Sequence, residues 1–420
     1  MYAAIAGLRT HMQNLNVIGN NVANVNTAGY KSARAVFRTS IYTTLNGGSN
    51  GTSTTGGVNP SQIGYGANVG TVDIDMSTGS YSVTGKPTDC MINGDGFFLV
   101  GSKTIALNFK GDAEDADRLT SLDLTRTGDF DFMADGYLAK DSGGSVVYGF
   151  LVIGTVTQEM LTGADAERYK GMKVGDPIYS DQLVPIRQPR VWKDAEGGMH
   201  VGYPRVNGGI QKADPATGIL IDDPNTEYDE TGKKDTAHLL DYGCYLDDLG
   251  NVVDAGQYEL ATLTNITIDQ ITGVITATCG DLDGQQITIG CLAVGKVTNP
   301  NGVTQVGNSM YKASEGSGDL RITAAGGLGA DVGIYYVNGS LYGGENATGK
   351  NMLQNDPNAI DALRLRSNDC EILSSGLEMS KTDLAQEIAN MIVTQRGYQA
   401  NTRIVTVTDS MLEELVNMKR

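Results

Sequence analysis

The chain has 420 residues, 40 % of them hydrophobic and 6 % aromatic, with 55 Gly and a formal net charge of −18. That length accommodates two or three domains, and the apolar fraction is enough for real cores. The charge excludes nucleic acid and anionic membrane surfaces as partners, since both require a cationic footprint.

In chain order, the first pattern is a helix. Ile5, Leu8, Met12, Leu15, Ile18, Val22 and Val25 recur at steps of three or four and predict one apolar stripe. The same segment holds "NVIGNNVANVNTAGYK" (16–31), rich in Asn although Asn is a poor helix former. Residues 40–60 are Gly/Ser/Thr/Asn-rich and read as a linker or flexible loop. From about 68 to 290 the signals are mostly short strands, among them "DGFFLV", "SVVYGFLVIGTV" and "QQITIGCLAVG", with "NGDG", "ADG" and "DLDG" as turns. The polar stretch 205–235 reads as surface excursions on a β domain.

The C-terminal pattern is the strongest. Leu377, Leu384, Met391, Tyr398, Val405 and Leu412 repeat every seven residues. Ile388 and Val416 take the companion positions four residues on, where Gln395, Thr402 and Asp409 are polar. A sustained seven-residue repeat is a coiled-coil signal, and polar seam residues specify a partner at a cost in stability. Free of proline from Ser380 to Met418, this segment predicts a helix of about 58 Å. Helical ends around a β-rich middle imply that the chain leaves and returns, with its termini side by side.

Catalytic signatures are missing. The three histidines, His11, His200 and His238, are far apart, and no GxSxG, HExxH, P-loop or GxGxxG motif occurs. Asp129, Asp131, Asp135 and Asp141 lack calcium-loop spacing and its closing Glu, and read as turn carboxylates. The five cysteines, Cys90, Cys244, Cys279, Cys291 and Cys370, form no CxxC pair and read as incidental buried thiols. No apolar run reaches a membrane span, and the N-terminus does not read as a cleaved secretory signal. An enzyme with a metal or other cofactor is therefore not expected.

Five stretches together resemble the bacterial flagellar rod and hook protein family. "NVIGNNVANVNTAGYKSARAVF" is similar to its N-terminal signature. "INGDGFFLV" (92–100), "TRTGDFDFMADGYLAKDSGG" (125–144) and "TNPNGVTQVGNSMYKASEGSG" (298–318) resemble its β-domain motifs, and 374–419 its C-terminal helix. Lys381 stands where the family favours Asn, Cys90 where Leu is usual, and Val297 replaces an aromatic. About 140 residues between "VVYG" and "IGCLAVGK" exceed what the short members carry.

The resemblance implies an α+β fold with nested domains. Residues 1–40 and 375–420 would form a coiled-coil assembly domain, and 41–69 a linker. An inner β domain would comprise 70–147 and 285–374, with an outer β domain, 148–284, inserted in it. It also implies self-assembly through the two stripes, through Asn20, Asn21, Asn24, Asn26, Gly29 and Tyr30, and through Arg396 on the C-terminal helix. On this reading the four asparagines end the first helix, with neighbouring subunits supplying their remaining partners.

The implied product is a short curved tube of this chain outside the cell, exported by the flagellar type III apparatus. Implied partners are a cap protein, the distal rod, the junction proteins toward the filament and a length-control protein. Two readings stay open beside it, a stiff rod protein with an enlarged insert and a surface adhesin. The single Trp, Trp192, argues against the aromatic-lined groove an adhesin needs.

Overall fold

The computed structural model describes residues 2–51, 56–102, 121–140, 144–155, 158, 174, 177–179, 183–193, 199–202, 211–213, 220–222, 244–246, 252–254, 259–270, 272–318, 320–324, 334–337, 340–342 and 370–418. The chain divides into two compact units, Met1–Ser77 with Met379–Arg420, and Thr78–Glu378. Most of 205–235, most of 330–373, His238 and Asp141 lie outside the described residues.

The first unit is built on helix α1 (Tyr2–Ala23). Strand β1 (Ala33–Thr39) returns along it and pairs antiparallel with β4 (Ala67–Ile74). Between them β2 (Tyr42–Asn46) and β3 (Ser61–Gly64) form a second antiparallel pair. Residues 41–69, expected as a linker, therefore contain a hairpin. Their Gly/Ser/Thr composition marks its turn, and the strands flank it. Helix α2 (Leu384–Met418) closes the unit. It starts four residues later than its apolar pattern allowed, because the Asp383 carboxylate accepts from the N–H groups of Ala385 (2.9 Å) and Gln386 (3.2 Å) and caps it. At 35 residues it is about 52 Å long.

The second unit is dominated by one 15-stranded antiparallel sheet. Its chain enters through β5 (Tyr81–Val83), β6 (Cys90–Gly94), β7 (Phe97–Gly101) and β8 (Asp123–Thr125). It continues through β9 (Phe130–Phe132), β10 (Leu138–Lys140) and β11 (Ser145–Thr155). After further short strands come β12 (Val274–Cys279), β13 (Gln285–Val297) and β14 (Leu320–Ala324). It leaves through β15 (Cys370–Ser374) and β16 (Gly376–Glu378). β15 pairs with β6 and β16 with β5, so the strands of exit lie on the strands of entry.

The 11-residue β11 and 13-residue β13 bear on the domain boundaries. β11 pairs with β7 at Val146–Val147 and with β13 at Gly149–Leu151, and β13 goes on to pair with β7 and β14. The boundary expected at 147/148 thus falls inside one continuous strand. One buried cluster, including Ile92, Phe98, Phe130, Val147, Leu151, Ile275, Ile289 and Leu292, spans both sides of it.

Two motifs of the sequence acquire physical reasons here. The Gly128 carbonyl accepts from the Cys90 N–H at 2.9 Å, and a Cβ on Gly128 would stand 1.8 Å from the Cys90 carbonyl oxygen. Only glycine permits that approach. Asp129 and Asp131 flank Lys86 at 3.7 and 3.4 Å, with Asp89 at 3.8 Å, so these turn carboxylates surround a lysine.

Cys90, Cys279, Cys291 and Cys370 are buried. Burial pushes the Cys90 thiol far up and the Cys291 thiol up to about 12, so both stay protonated and unreactive at neutral pH. Maleimide labelling of the native chain should leave these two unmodified, and labelling in denaturant should reach them. Replacing Gly128 by Ala should cost about 3 kcal/mol, the upper end for overpacking, read as a lowered denaturation midpoint of the β unit.

Candidate functional site: the paired terminal helices

Within the first unit α1 and α2 run antiparallel. Asn14 donates through Nδ2 to the Thr394 hydroxyl at 2.9 Å, and Asn21 donates to Glu387 Oε1 at 3.1 Å. A Cβ on Gly7 would stand 2.7 Å from Asn401 Nδ2, and one on Gly397 would stand 2.8 Å from His11 Cε1. Position 7 thus meets 401, 11 meets 397, 14 meets 394 and 21 meets 387. Each step up one helix is matched by an equal step down the other.

The seam so defined is mostly polar. In α1 the buried residues are Ala4, Thr10, Ile18 and Asn21; in α2 the sole buried residue described is Thr394. The other face of α1 lies on the β1–β4 pair. There the Thr10 hydroxyl donates to the Ala67 carbonyl at 2.8 Å and His11 sits edge-on to Phe37, 6.0 Å between centroids.

Asn21, 1 % exposed, is the centre of this packing. Its Nδ2 donates to the Ala33 carbonyl at 2.7 Å and to Glu387, and its Oδ1 accepts from the Ala33 N–H at 2.9 Å and from the Tyr30 hydroxyl at 3.0 Å. Two donors and two acceptors are all used. The amide therefore pairs with strand residue Ala33 as a neighbouring peptide would, and ties α2 to the same point. Asn20 Nδ2 donates to the Tyr30 hydroxyl at 3.1 Å. Asn24 Nδ2 donates to the Asn20 carbonyl at 2.9 Å, and the Thr27 hydroxyl to Asn24 Oδ1 at 3.1 Å. Gly29, at φ 66°, turns the chain toward β1. Burial, and secondarily Glu387, raises the pKa of Tyr30, which keeps its hydroxyl a donor at neutral pH.

The asparagines thus do different work from that expected. Asn20 and Asn21 lie inside α1 and only Asn24 and Asn26 follow it. The partners of Asn21 come from its own unit.

The apolar pattern residues distribute differently again. In α1, Ile18 is buried, Leu8, Leu15 and Val22 are half-buried, and Ile5 and Met12 are exposed. In α2, Met391 and Val405 are half-buried, and Leu384, Ile388, Gln395, Arg396, Tyr398, Leu412 and Val416 are exposed. Leu377 is half-buried in β16, outside the helix. The seven-residue step of the seam is real, but its companion positions come three residues after Leu384, Met391 and Tyr398. They are Glu387, Thr394 and Asn401. Facing them are Asn21, Asn14 and Gly7, also seven apart. These two polar heptad lines were the available signal, and reading apolar spacing alone passes over them.

The pairing leaves apolar residues uncovered among polar ones such as Gln395 and Arg396. Ile392, Val393, Ile404, Val407, Met411, Leu415 and Met418 of α2 are exposed as well, the last at 83 %. So are Ile41, Tyr42, Leu45 and Ile63 of the β2–β3 hairpin and its approach. Patches of this extent mark surfaces that bind protein or membrane. No described helix is long and apolar enough to cross a membrane. Lys381 ion-pairs with Asp75 at 3.2 Å and bonds the Ser77 hydroxyl, and both partners are about half exposed, where such pairs contribute little.

The comparisons with known proteins fall on these helices. Residues 1–31 match the family model "Flagella basal body rod protein", and 373–418 match "Flagellar basal body rod FlgEFG protein C-terminal". The chain is 25 % identical over 501 residues to the flagellar hook protein FlgE of Borreliella burgdorferi, covering 100 % of this chain and 99 % of that one. It is 24 % identical over 442 residues to FlgE of Salmonella typhimurium, covering 99 % of each. It is 26 % identical over 420 residues to the flagellar basal-body rod protein FlgG of Bacillus subtilis, covering 100 % of this chain and 98 % of that one. The solved Helicobacter pylori hook protein FlgE2 aligns at 12 % identity with a TM-score of 0.27, over 57 % of this chain and 95 % of that one, too slight a likeness to bear on the fold.

Replacing Asn21 by Ala should cost about 2 to 3 kcal/mol, since buried partners lose their hydrogen bonds. The measurement is loss of helical circular dichroism against temperature. Gly397→Ala should weaken the helix pair by driving a Cβ into His11. Adding His11→Ala should restore part of that loss, which a double-mutant cycle would read as coupling.

With both terminal helices matched by these models and similarity running the length of hook and rod proteins, the chain is similar to the flagellar rod and hook proteins from end to end.

Proposed function

We propose that this chain is the structural subunit of a bacterial flagellar hook and that it acts by polymerising rather than by catalysis. The observation that carries the reading is the inverted seam. The two terminal helices meet through polar contacts while α2 presents apolar residues along its outer faces. Burying a Leu, Ile or Val side chain contributes about 2 kcal/mol. Contacts to neighbouring copies can therefore supply stability that the polar seam does not.

On this reading the paired helices form the inner coiled-coil layer of a tube, with β-rich domains nested outward. The tube joins rod to filament and bends while it turns. Sliding between outer domains requires wet, polar contacts that reform at little cost. A cap protein, the distal rod, the junction proteins, a length-control protein and the type III export apparatus would be its partners. Similarity to FlgG over the whole chain supports a second reading, a straight and stiff distal-rod subunit.

Assembly of the purified chain, imaged by electron microscopy, separates them. Curved tubes are expected; straight ones would favour the rod, and a chain that stays monomeric under all assembly conditions would overturn both. Ile404→Glu and Val416→Glu should abolish polymer formation while leaving the melting temperature of the β unit unchanged.

A further inference from the structure

The second unit is joined to the rest of the chain by two covalent connections, after Ser77 and after Glu378. Its stem is the β5–β16 ribbon, three residues per strand, with Gly376 opposite Val83 and Glu378 opposite Tyr81. A two-stranded ribbon of that length is not stable by itself in water. It is held by a charged pair with almost no solvent access. Arg126 and Glu378 side chains are 2 % and 1 % exposed, with Nη1 and Oε2 3.7 Å apart.

The pair gathers four stretches of chain. Arg126, just after β8, donates through Nη1 to the Ile92 carbonyl at 3.2 Å and through Nη2 to the Gly94 carbonyl at 2.8 Å. Its guanidinium carbon lies 5.4 Å from the centre of the Phe97 ring. Glu378 Oε1 accepts from the Gly79 N–H at 2.6 Å. Gly79 and Glu378 are the second and the last residues of the unit, so one ion pair grips both the entering and the leaving strand.

Stability alone is a poor account of this pair. Charges held in a dry interior are costly to desolvate, and well-packed apolar residues often serve as well or better. Burial lowers the pKa of Arg126, against the opposing pull of Glu378, which registers that cost. At 3.7 Å the charges attract without a direct hydrogen bond between them. What the pair supplies is position. The guanidinium fork reads two carbonyls of β6 and a carboxylate at once, which a point charge or an apolar side chain cannot do.

We propose that Arg126 and Glu378 are positioning residues that lock the stem ribbon to the sheet, so that load carried by the two connecting strands reaches the β unit without opening its stem. This rests on the reading of the chain as a torque-bearing subunit. The test is native-state hydrogen exchange on the full chain and on Arg126→Lys and Glu378→Gln variants. Exchange of amides in 79–83 and 376–378 should accelerate about tenfold or more, while those of β7 and β11 exchange at the wild-type rate.

If all these amides accelerate together, the pair is ordinary core and the proposal falls. It falls equally if the stem exchanges as in wild type. Should Glu378→Gln fail to fold, Arg126→Lys decides alone, because it keeps the charge and removes the fork. Polymers of a variant that passes should bend more variably than wild-type ones. A wild-type chain that forms no polymer would sink the hook reading and leave the exchange result standing.

Discussion

The first unit depends on one constraint, that α1 and α2 meet mainly through polar and small residues. Gly7, His11, Asn14 and Asn21 face Asn401, Gly397, Thr394 and Glu387. Small residues let the backbones approach, and the polar ones fix the offset, since a slip of one residue would take Thr394 from Asn14 and Glu387 from Asn21. Such a seam determines register well and contributes little affinity. It therefore leaves the apolar residues of both helices free to face elsewhere.

The second unit is organised in the opposite way. Its core is dry, and Cys90, Cys291, Phe98, Phe130, Phe150, Leu99 and Leu292 are fully buried. Long strands β11 and β13 run through it without interruption. In one sequence, then, a sheet with a dry core is combined with a helix, α2, that exposes Ile404, Leu415 and Met418. That division is what a polymer subunit requires, because it must be soluble before assembly and adhesive during it.

The elements were legible in the sequence, and their phases were not. Both terminal helices follow from apolar spacing, and the seven-residue step in α2 is correct. What apolar spacing does not reveal is which residues face the partner helix. The inference that apolar residues lie inside holds for a chain that buries its own hydrophobic surface and runs only one way. Here Leu384, Ile388 and Val416 are exposed and Thr394 is buried. The 41–69 segment misled because its Gly-rich turn outweighs two short strands in composition. The expected 147/148 division falls within "SVVYGFLVIGT", a single strand whose two ends pair with different neighbours. The roles of Gly128 and Arg126 are set by carbonyls more than thirty residues away, at Cys90 and Ile92, and no local pattern encodes such contacts.

Polar groups settle geometry in both units, by different means. At the helix seam Asn21 satisfies four hydrogen bonds with neutral partners and one carboxylate, and the net contribution of each such bond is modest. At the stem, Arg126 and Glu378 are charged and almost without solvent. Breaking one of that pair exposes the other to an uncompensated burial, which makes the contact hard to open. A subunit that must assemble and then carry load needs both kinds. Contacts formed on assembly have to be reversible enough to find their register, whereas contacts inside the loaded body must not yield. Neutral amides at the seam and a buried ion pair at the stem match those two demands.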